Sequence, residues 1–467
     1  MTTVAEEKQE LETETAVPET IESPAETKQR LSWESLSVLI LLLILAMAAY
    51  FRFTGLTWGE GNFLHPDEFF LMDVASRLQP ADSFFEYMRT SESPLNPYNV
   101  DKGFYVYGNF PMTFTRYFAE WAASACNNFP DLCAQTYNSF YGLQQSGRFL
   151  SALVDLFTVL LTYLIGRRLY SWQAGLLAAF FQGTAVMAIQ QSHFFTMDNW
   201  AAFFTALGVY TAVRAAGFGD DKAKWQIHWW LLFGLSLGLA VASRINVAPL
   251  AVIINISAVA WLVRRGTPGK ASAIPALARS IFSASFWAYW SPPPSRWWCS
   301  AWPSHTPSPM PPLPAMKSSP KRVRNRAHSR SGCVPSWAST RSGAATWMKS
   351  SSSKAGSFLP PALQWTDRDA IVFPFTNMVL YGMGIAAGLT AWAGLFWALW
   401  RIVRAWPDWL AHAIPVSWSL LYFLFMATRW VKSIRYFLPI YPPSFCWVAG
   451  RCGPSGSARG RASSGAH

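Results

Sequence analysis

Charge is scarce in this 467-residue sequence. Asp, Glu, Lys and Arg together make up 14% of it, against 51% hydrophobic and 16% aromatic residues. Soluble domains carry roughly a quarter charged residues, so a string of water-soluble domains is excluded and a polytopic membrane protein is indicated. The formal net charge of +12 does not point to nucleic acid, because residues 266–366 hold 12 Lys and Arg and no acid, while the rest of the chain balances at 26 bases to 26 acids. A surface for DNA or RNA would set its bases on a folded face, and this excess sits in one segment, so no nucleic-acid partner is expected. Cysteine is scarce, at six residues. Cys126 and Cys133 fall on an expected outer loop, where a disulfide is open to them. No cleavable leader pattern is visible. Residues 1–32 carry Glu6, Glu7, Glu10, Glu12 and Glu14 among Pro and Thr, a composition too polar to bury a core, and read as a disordered cytoplasmic tail.

What the sequence does have is long apolar runs without strand-like alternation. A bilayer span needs about 20 such residues, and helices are the spanning elements that fit. Nine runs qualify, near 36–53, 149–166, 172–191, 195–213, 229–243, 246–263, 375–400, 409–427 and 434–450. The fold class is therefore all-α, a transmembrane helical bundle of nine to ten spans. The fifth and sixth runs abut at Ser243 to Asn246, read as a tight external turn with one long tilted helix as the alternative. Short loops with Arg167 and Arg168, with Arg214, Lys222 and Lys224, and with Arg264 and Arg265 all fall on one side if the N-terminus is cytoplasmic. Arg401 and Arg404 belong on that side too, which requires one more crossing between Arg265 and Phe375 than the apolar runs supply.

That interval is anomalous. Residues 266–366 carry 15 of the 31 prolines and 21 serines. Composition alone gives a disordered loop, yet such loops are rich in Glu and poor in Trp, and this one has no acids and includes Trp297, Trp298 and Trp302. A slipped reading frame is the other explanation. Joining the last base of each codon to the first two of the next forces Val-Val from Trp297-Trp298-Cys299, Ala from Trp302-Pro303 and Leu-Gly from Phe286-Trp287-Ala288. Ser285 to Pro303 then decodes as an apolar run of spanning length, which restores parity, and Met348-Lys349 shifts to Asp-Glu. The expectation is that roughly Ser283 to Ser353 is out of frame and that the original frame resumes before Leu363. The tail from Pro443 has a similar composition. The expected organisation is a tail over 1–32, a transmembrane catalytic module over 33–265 with an external loop over 54–145, the anomalous segment 266–362, further helices over 363–442, and an anomalous tail over 443–467.

Sorted by side, the chemistry-bearing residues collect on the outer face. His65-Pro66-Asp67-Glu68 follows the first span by a dozen residues, and its plain reading is a turn that starts a helix. Arg148 and Asp155 lie seven residues apart, two helical turns, and so on one face of the second span. Ionisable groups at that depth line a functional cavity or tie helices together. His193 and Asp198 follow the third span, with helix-capping roles as the plain alternatives. Arg244 sits at the next outer turn, where it is also placed to snorkel to the interface. Lys432 and Arg435 belong to a basic outer turn that runs against the positive-inside tendency and suits an anion.

Taken together these features resemble the GT-C superfamily of membrane glycosyltransferases, in its protein O-mannosyltransferase and lipid A aminoarabinose transferase branch. The resemblance covers about 33–265 and 363–442. It rests on the acidic pair, on Gly147-Arg148-Phe149-Leu150-Ser151-Ala152-Leu153 running to Gly166-Arg167-Arg168-Leu169, on Ser192-His193 with Asp198, on Gly238-Leu239-Ala240 before Ser243-Arg244, and on Arg435-Tyr436-Phe437-Leu438-Pro439. It implies inverting transfer of a sugar, a mannose-like hexose or a pentose, from a polyprenyl-phosphate donor to a protein, lipid or polysaccharide acceptor. The reaction would run on the outer face of the cell membrane, among its lipids. By the same resemblance Asp67 is the general base with Glu68 beside it, His65, His193 and Asp198 are further candidates for the catalytic or acceptor site, and Arg244, Lys432 and Arg435 hold the donor phosphate. No cofactor is certain. Metal stays open, since a histidine and two carboxylates can bind a divalent ion whereas this branch resembles enzymes that need none. Two other readings stand beside it. One is a transporter or lipid flippase with Arg148 and Asp155 on the path, although neither internal repeats nor interrupted midplane helices are evident. The other is an inactive copy damaged by the frame slip.

Overall fold

The computed structural model describes residues 33–60, 62, 64–103, 105–128, 137–219, 225–265, 364–405 and 409–450. Among the described residues the chain is helical and has no strand. The tail before residue 33, the segment 266–362 with its frame-slip reading, and Cys133 lie outside them. Cys126 is disulfide-bonded.

The first helix, α1 (Trp33–Phe53), turns Leu42 and Leu43 outward and Ile44, Ala48 and Arg52 inward. The inward residues are four apart and stack on one helical face, so the apolar outer side suits lipid while the stripe meets protein. Three short elements follow in the outer loop, α2 (Pro66–Ala75), α3 (Phe84–Met88) and a 3₁₀ turn at Pro97–Val100, and then the longer α4 (Asn109–Asn128). The central helix is α5 (Phe140–Leu169), which packs against α1, α2 and α4. It begins earlier than the apolar run suggests because Ser139 caps it, its Oγ accepting from the Gly142 N–H at 3.1 Å. The loop expected to reach residue 145 therefore ends at 139.

The expected span over 172–191 is a bent pair, α6 (Trp172–Thr184) and α7 (Val186–Ser192), at 57° to one another. Ala185 between them is extended, which frees the last carbonyls of α6. Arg52 takes them. Its NH2 donates to Gln182 O at 3.1 Å, its NH1 to Gly183 O at 2.9 Å and Ala48 O at 3.1 Å, and its Nε to Asp155 Oδ2 at 2.7 Å. One side chain thus neutralises a buried carboxylate on α5 and closes a broken helix.

Two antiparallel neighbours come next, α8 (Asp198–Ala215) and α9 (Ile227–Ser243). Arg244 is extended, at φ −156° and ψ 117°, and a 3₁₀ stretch over Ile245–Val252 containing Pro249 leads into α10 (Ile253–Arg265). A continuous tilted helix through this point is therefore ruled out. The long run after Ile371 divides into α11 (Val372–Asn377), a π-helical segment at Met378–Gly384 and α12 (Ile385–Val403). Gly384 has φ +87°, a conformation that side chains resist. After α13 (Trp409–Ala427) a 3₁₀ stretch, Ile434–Ile440, carries Arg435 and enters α14 (Tyr441–Gly450).

Past the expected boundary at 442, Phe445, Cys446 and Trp447 are buried against α5, α6 and α12, and Trp447 Nε1 donates to Ala391 O at 2.9 Å. Among the described residues five helical stretches are long and apolar enough to cross a membrane: Ser35–Phe53, Phe140–Leu169, Ile245–Arg265, Val372–Val403 and Trp409–Ala427. The bent pair makes a sixth if counted as one span.

Candidate active site

The site is assembled at the start of α2. Pro66 occupies the first turn, where a missing N–H costs nothing, and His65 caps the helix by accepting the Asp67 N–H on Nδ1 at 3.2 Å. Asp67 and Glu68 fall in the first turn, where the helix dipole favours negative charge. Successive helical residues point about 100° apart, so the acidic pair parts company.

Glu68 turns inward and is fully buried. Its Oε1 accepts from Arg148 Nε at 2.8 Å and from the Phe195 N–H at 2.9 Å, and its Oε2 from Arg148 NH2 at 2.8 Å and Gln144 Nε2 at 3.2 Å. Arg148 spends NH1 on the carbonyls of Leu56 and Trp58, both at 2.9 Å. This bidentate pair joins α2, α5, the turn after α1 and the strap between α7 and α8. The strap lies so close to α5 that a Cβ on Gly147 would overlap the Phe195 ring. Arg148 and Asp155 share a face of α5, as expected from their spacing, yet their partners are separate: Glu68 for one and Arg52 for the other.

Asp67 turns the other way, toward the 3₁₀ stretch that precedes α14. Its Oδ2 accepts from Arg435 NH2 at 2.5 Å, and the Tyr107 hydroxyl donates to the same carboxylate. Arg435 Nε lies 3.9 Å from Asp198 Oδ2, and Asp198 Oδ1 pairs with Arg244 NH1. The Arg244 guanidinium lies over the Tyr436 ring, 4.0 Å from its centroid. Four residues brought from α2, α8, the end of α9 and the last 3₁₀ stretch thus form an alternating line of charge, Asp67, Arg435, Asp198, Arg244. Burial pushes the Asp67 carboxyl up, but Arg435, with Arg244 and the Tyr107 hydrogen bond, outweighs it and holds the group below its ordinary 3.8. The Tyr107 hydroxyl moves the opposite way, raised by burial and by the Asp67 charge. Burial and Arg435 together lower His65 against the pull of the nearby carboxylates, so the ring is held neutral.

The remaining expected residues fall nearby or apart. His193 ends α7, with Nδ1 2.8 Å from Ile189 O and Nε2 3.0 Å from Thr54 O, so its ring ties that helix end to the turn after α1 and stays out of the Asp67 cluster. Asp198 does not cap α8. Met197 stands at the cap, and the Asp198 side chain goes to the two arginines instead. Lys432 is buried with its ammonium 3.5 Å from the Trp430 carbonyl, and burial lowers its pKa. Among the described residues no three His, Cys, Asp or Glu side chains converge as a metal site, and Asp67 and Asp198 are each paired to an arginine, which opposes a second cation. Sequence reasoning passed over Arg52, Tyr107 and Gln144. Arg52 carried a signal, a base at the outer end of a span against the positive-inside tendency; the other two carried none.

No curated protein sequence matches the chain significantly. Among solved structures, ArnT from Cupriavidus metallidurans bound to undecaprenyl phosphate is 15% identical with a TM-score of 0.44, the match covering 90% of this chain and 59% of that one. AglB from Archaeoglobus fulgidus, an archaeal oligosaccharyltransferase in complex with an inhibitory peptide and a dolichol-phosphate, is 12% identical with a TM-score of 0.44, covering 90% and 50%. The Archaeoglobus fulgidus oligosaccharyltransferase in complex with Zn and sulfate is 12% identical with a TM-score of 0.45, covering 88% and 48%. The chain thus spans 59% of the length of the first of these and about half of the others. Residues 138–290, which include Arg148, His193, Asp198 and Arg244, match the family described as dolichyl-phosphate-mannose-protein mannosyltransferase.

Proposed function

We propose that this protein transfers a sugar, a mannose-like hexose or a pentose, from a polyprenyl-phosphate donor to a hydroxyl of a protein, lipid or polysaccharide acceptor, on the outer face of the cell membrane. The observation that carries this reading is the Asp67 carboxylate, held ionised by Arg435 and only partly covered, its side chain 21% exposed. An ionised, reachable carboxylate beside a phosphate-binding cation is what an inverting transfer needs.

In this reaction the acceptor oxygen attacks the anomeric carbon as Asp67 takes its proton. The bond from that carbon to the phosphate oxygen breaks, and the phosphate leaves with the electron pair. Arg435, Lys432 and Arg244 are the groups that would hold the growing negative charge through charge-assisted hydrogen bonds. A donor phosphate competes with Asp67 for Arg435, so donor binding weakens the cation's hold on the carboxylate and makes it a stronger base when it is required. Glu68, whose oxygens all serve Arg148, Gln144 and the Phe195 N–H, holds Asp67 in place and takes no proton. Asp198 keeps Arg244 and Arg435 together, and His193 fixes the strap.

The test is transfer from a radiolabelled polyprenyl-phosphate sugar by the purified chain in liposomes. Asp67→Asn is expected to lower kcat by about 10²–10⁴-fold, the usual worth of a general base. Unchanged turnover would sink the assignment of the base, and discharge of nucleotide sugars without a lipid carrier would sink the donor class.

A further inference from the structure

The contact between His65 and Arg435 has no acceptor in it. His65 Nδ1 is occupied as the helix cap, taking the Asp67 N–H at 3.2 Å. A neutral imidazole has one lone-pair nitrogen and one N–H, so the cap assigns the proton to Nε2. Yet Nε2 stands 2.6 Å from Arg435 NH1, which is also a donor. Moving the proton to Nδ1 would satisfy Arg435 and set an N–H against the Asp67 N–H instead. Protonating both nitrogens would spoil both contacts. The ring does not turn away easily, because it packs on Phe194 with centroids 4.8 Å apart. Within the protein alone this corner is frustrated.

An anionic oxygen between the two donors removes the conflict, accepting from Nε2–H and from the guanidinium at once. The charges around the corner also leave room for one. Asp67 and Asp198 balance Arg435 and Arg244, while Lys432, three residues before Arg435, adds a buried ammonium whose hydrogen bond to Trp430 O is at the distance limit.

We infer that His65 is a donor-phosphate ligand, its Nε2–H binding a phosphate oxygen together with Arg435. This rests on the glycosyl-transfer reading and adds to it a residue that recognises the donor by its phosphate. The same histidine then has two duties, capping α2 with one nitrogen and binding the phosphate with the other.

Two substitutions separate those duties. Asn is a strong helix cap and supplies an acceptor where Nδ1 stands, but its side chain stops short of Nε2. Gln is a poorer cap whose amide N–H reaches toward the Nε2 position. Binding of polyprenyl phosphate to the full-length protein in detergent is measured for the wild type, His65→Asn and His65→Gln, with inorganic phosphate and an anionic phospholipid as comparison probes. Loss of one charge-assisted hydrogen bond is worth about tenfold or more. His65→Asn is expected to weaken polyprenyl phosphate at least tenfold with its melting temperature unchanged, and His65→Gln to stay nearer the wild type. Equal weakening toward inorganic phosphate assigns the effect to the phosphate group, whereas a preference kept only for the lipid assigns the rest of the affinity to the chain. If His65→Asn binds as tightly as the wild type, the inference is overturned and the donor class survives. If the wild type binds no polyprenyl phosphate at all, both fall together.

Discussion

Glu68 and Arg148 offer the sharpest test of how this site is built. Both side chains are buried, with relative exposures of 0% and 2%, and they meet through two bonds of 2.8 Å. Removing one partner of such a pair strands the other charge in a poorly solvated place, at a cost of about 3–5 kcal/mol. Arg148→Met is expected at the upper end, because Glu68 keeps only Gln144 and the Phe195 N–H. Glu68→Gln is expected at the lower end, because the neutral amide still accepts from one of its donors and Arg148 retains the Leu56 and Trp58 carbonyls. The double variant should fall short of the sum by about 2 kcal/mol, since neither charge is then left alone. Reversible unfolding of each protein in mixed micelles gives the three values. Additivity within about 0.5 kcal/mol would refute the pairing. Loss of transfer activity by Glu68→Gln without loss of stability would refute the holding role and return Glu68 to the chemistry.

Three other outcomes follow from the same geometry. Arg435→Gln removes the cation that keeps Asp67 below its ordinary 3.8, so burial should dominate and the acid limb of kcat/KM should move to higher pH; an unmoved limb would disconnect the two residues. In the wild type the depressed folded-state pKa makes the Asp67 contribution to stability fully present above the unfolded value and lost as pH falls through the folded one, which an acid titration of the melting temperature can follow. Arg52→Met should destabilise by about 3–5 kcal/mol by isolating Asp155, and adding Asp155→Leu should recover part of that; a melting temperature indifferent to Arg52→Met would contradict the buried pair. Gly147→Ala should cost about 1–3 kcal/mol through overlap with Phe195, with Phe195→Leu restoring some of it, and a neutral result would mean the strap is looser than described.

The helices were largely legible in the sequence because lipid imposes a simple rule: a run of apolar residues must satisfy its own backbone, and helices do so. The helix at Pro66 was legible as well, since proline and two acids suit a first turn. The break between α6 and α7 was not. Nothing in Gly183-Thr184-Ala185 announces a bend, because the freed carbonyls are met by Arg52, 130 residues away. The site divided along the same line. Asp67, Asp198, Arg244 and Arg435 stood out as charges beside spans, but their order in one line depends on helix packing. The opposed directions of Asp67 and Glu68 follow from helical pitch and could have been drawn from adjacency alone. Tyr107 left no trace, being one aromatic among many in a loop.

The position of Arg52 in the chain also has a consequence for biosynthesis. Its acid partner lies 103 residues later and its carbonyl partners about 130 later. At synthesis rates of roughly 5–20 residues per second, α1 waits some 5–25 seconds before the groups that neutralise and cap its guanidinium have been made. During that interval the arginine stays hydrated at the membrane boundary, and α1 is not yet docked. Docking of α1 is therefore held back until α6 has been made, and a cysteine pair engineered across α1 and α6 should crosslink only in nascent chains long enough to have released Gly183 from the ribosome.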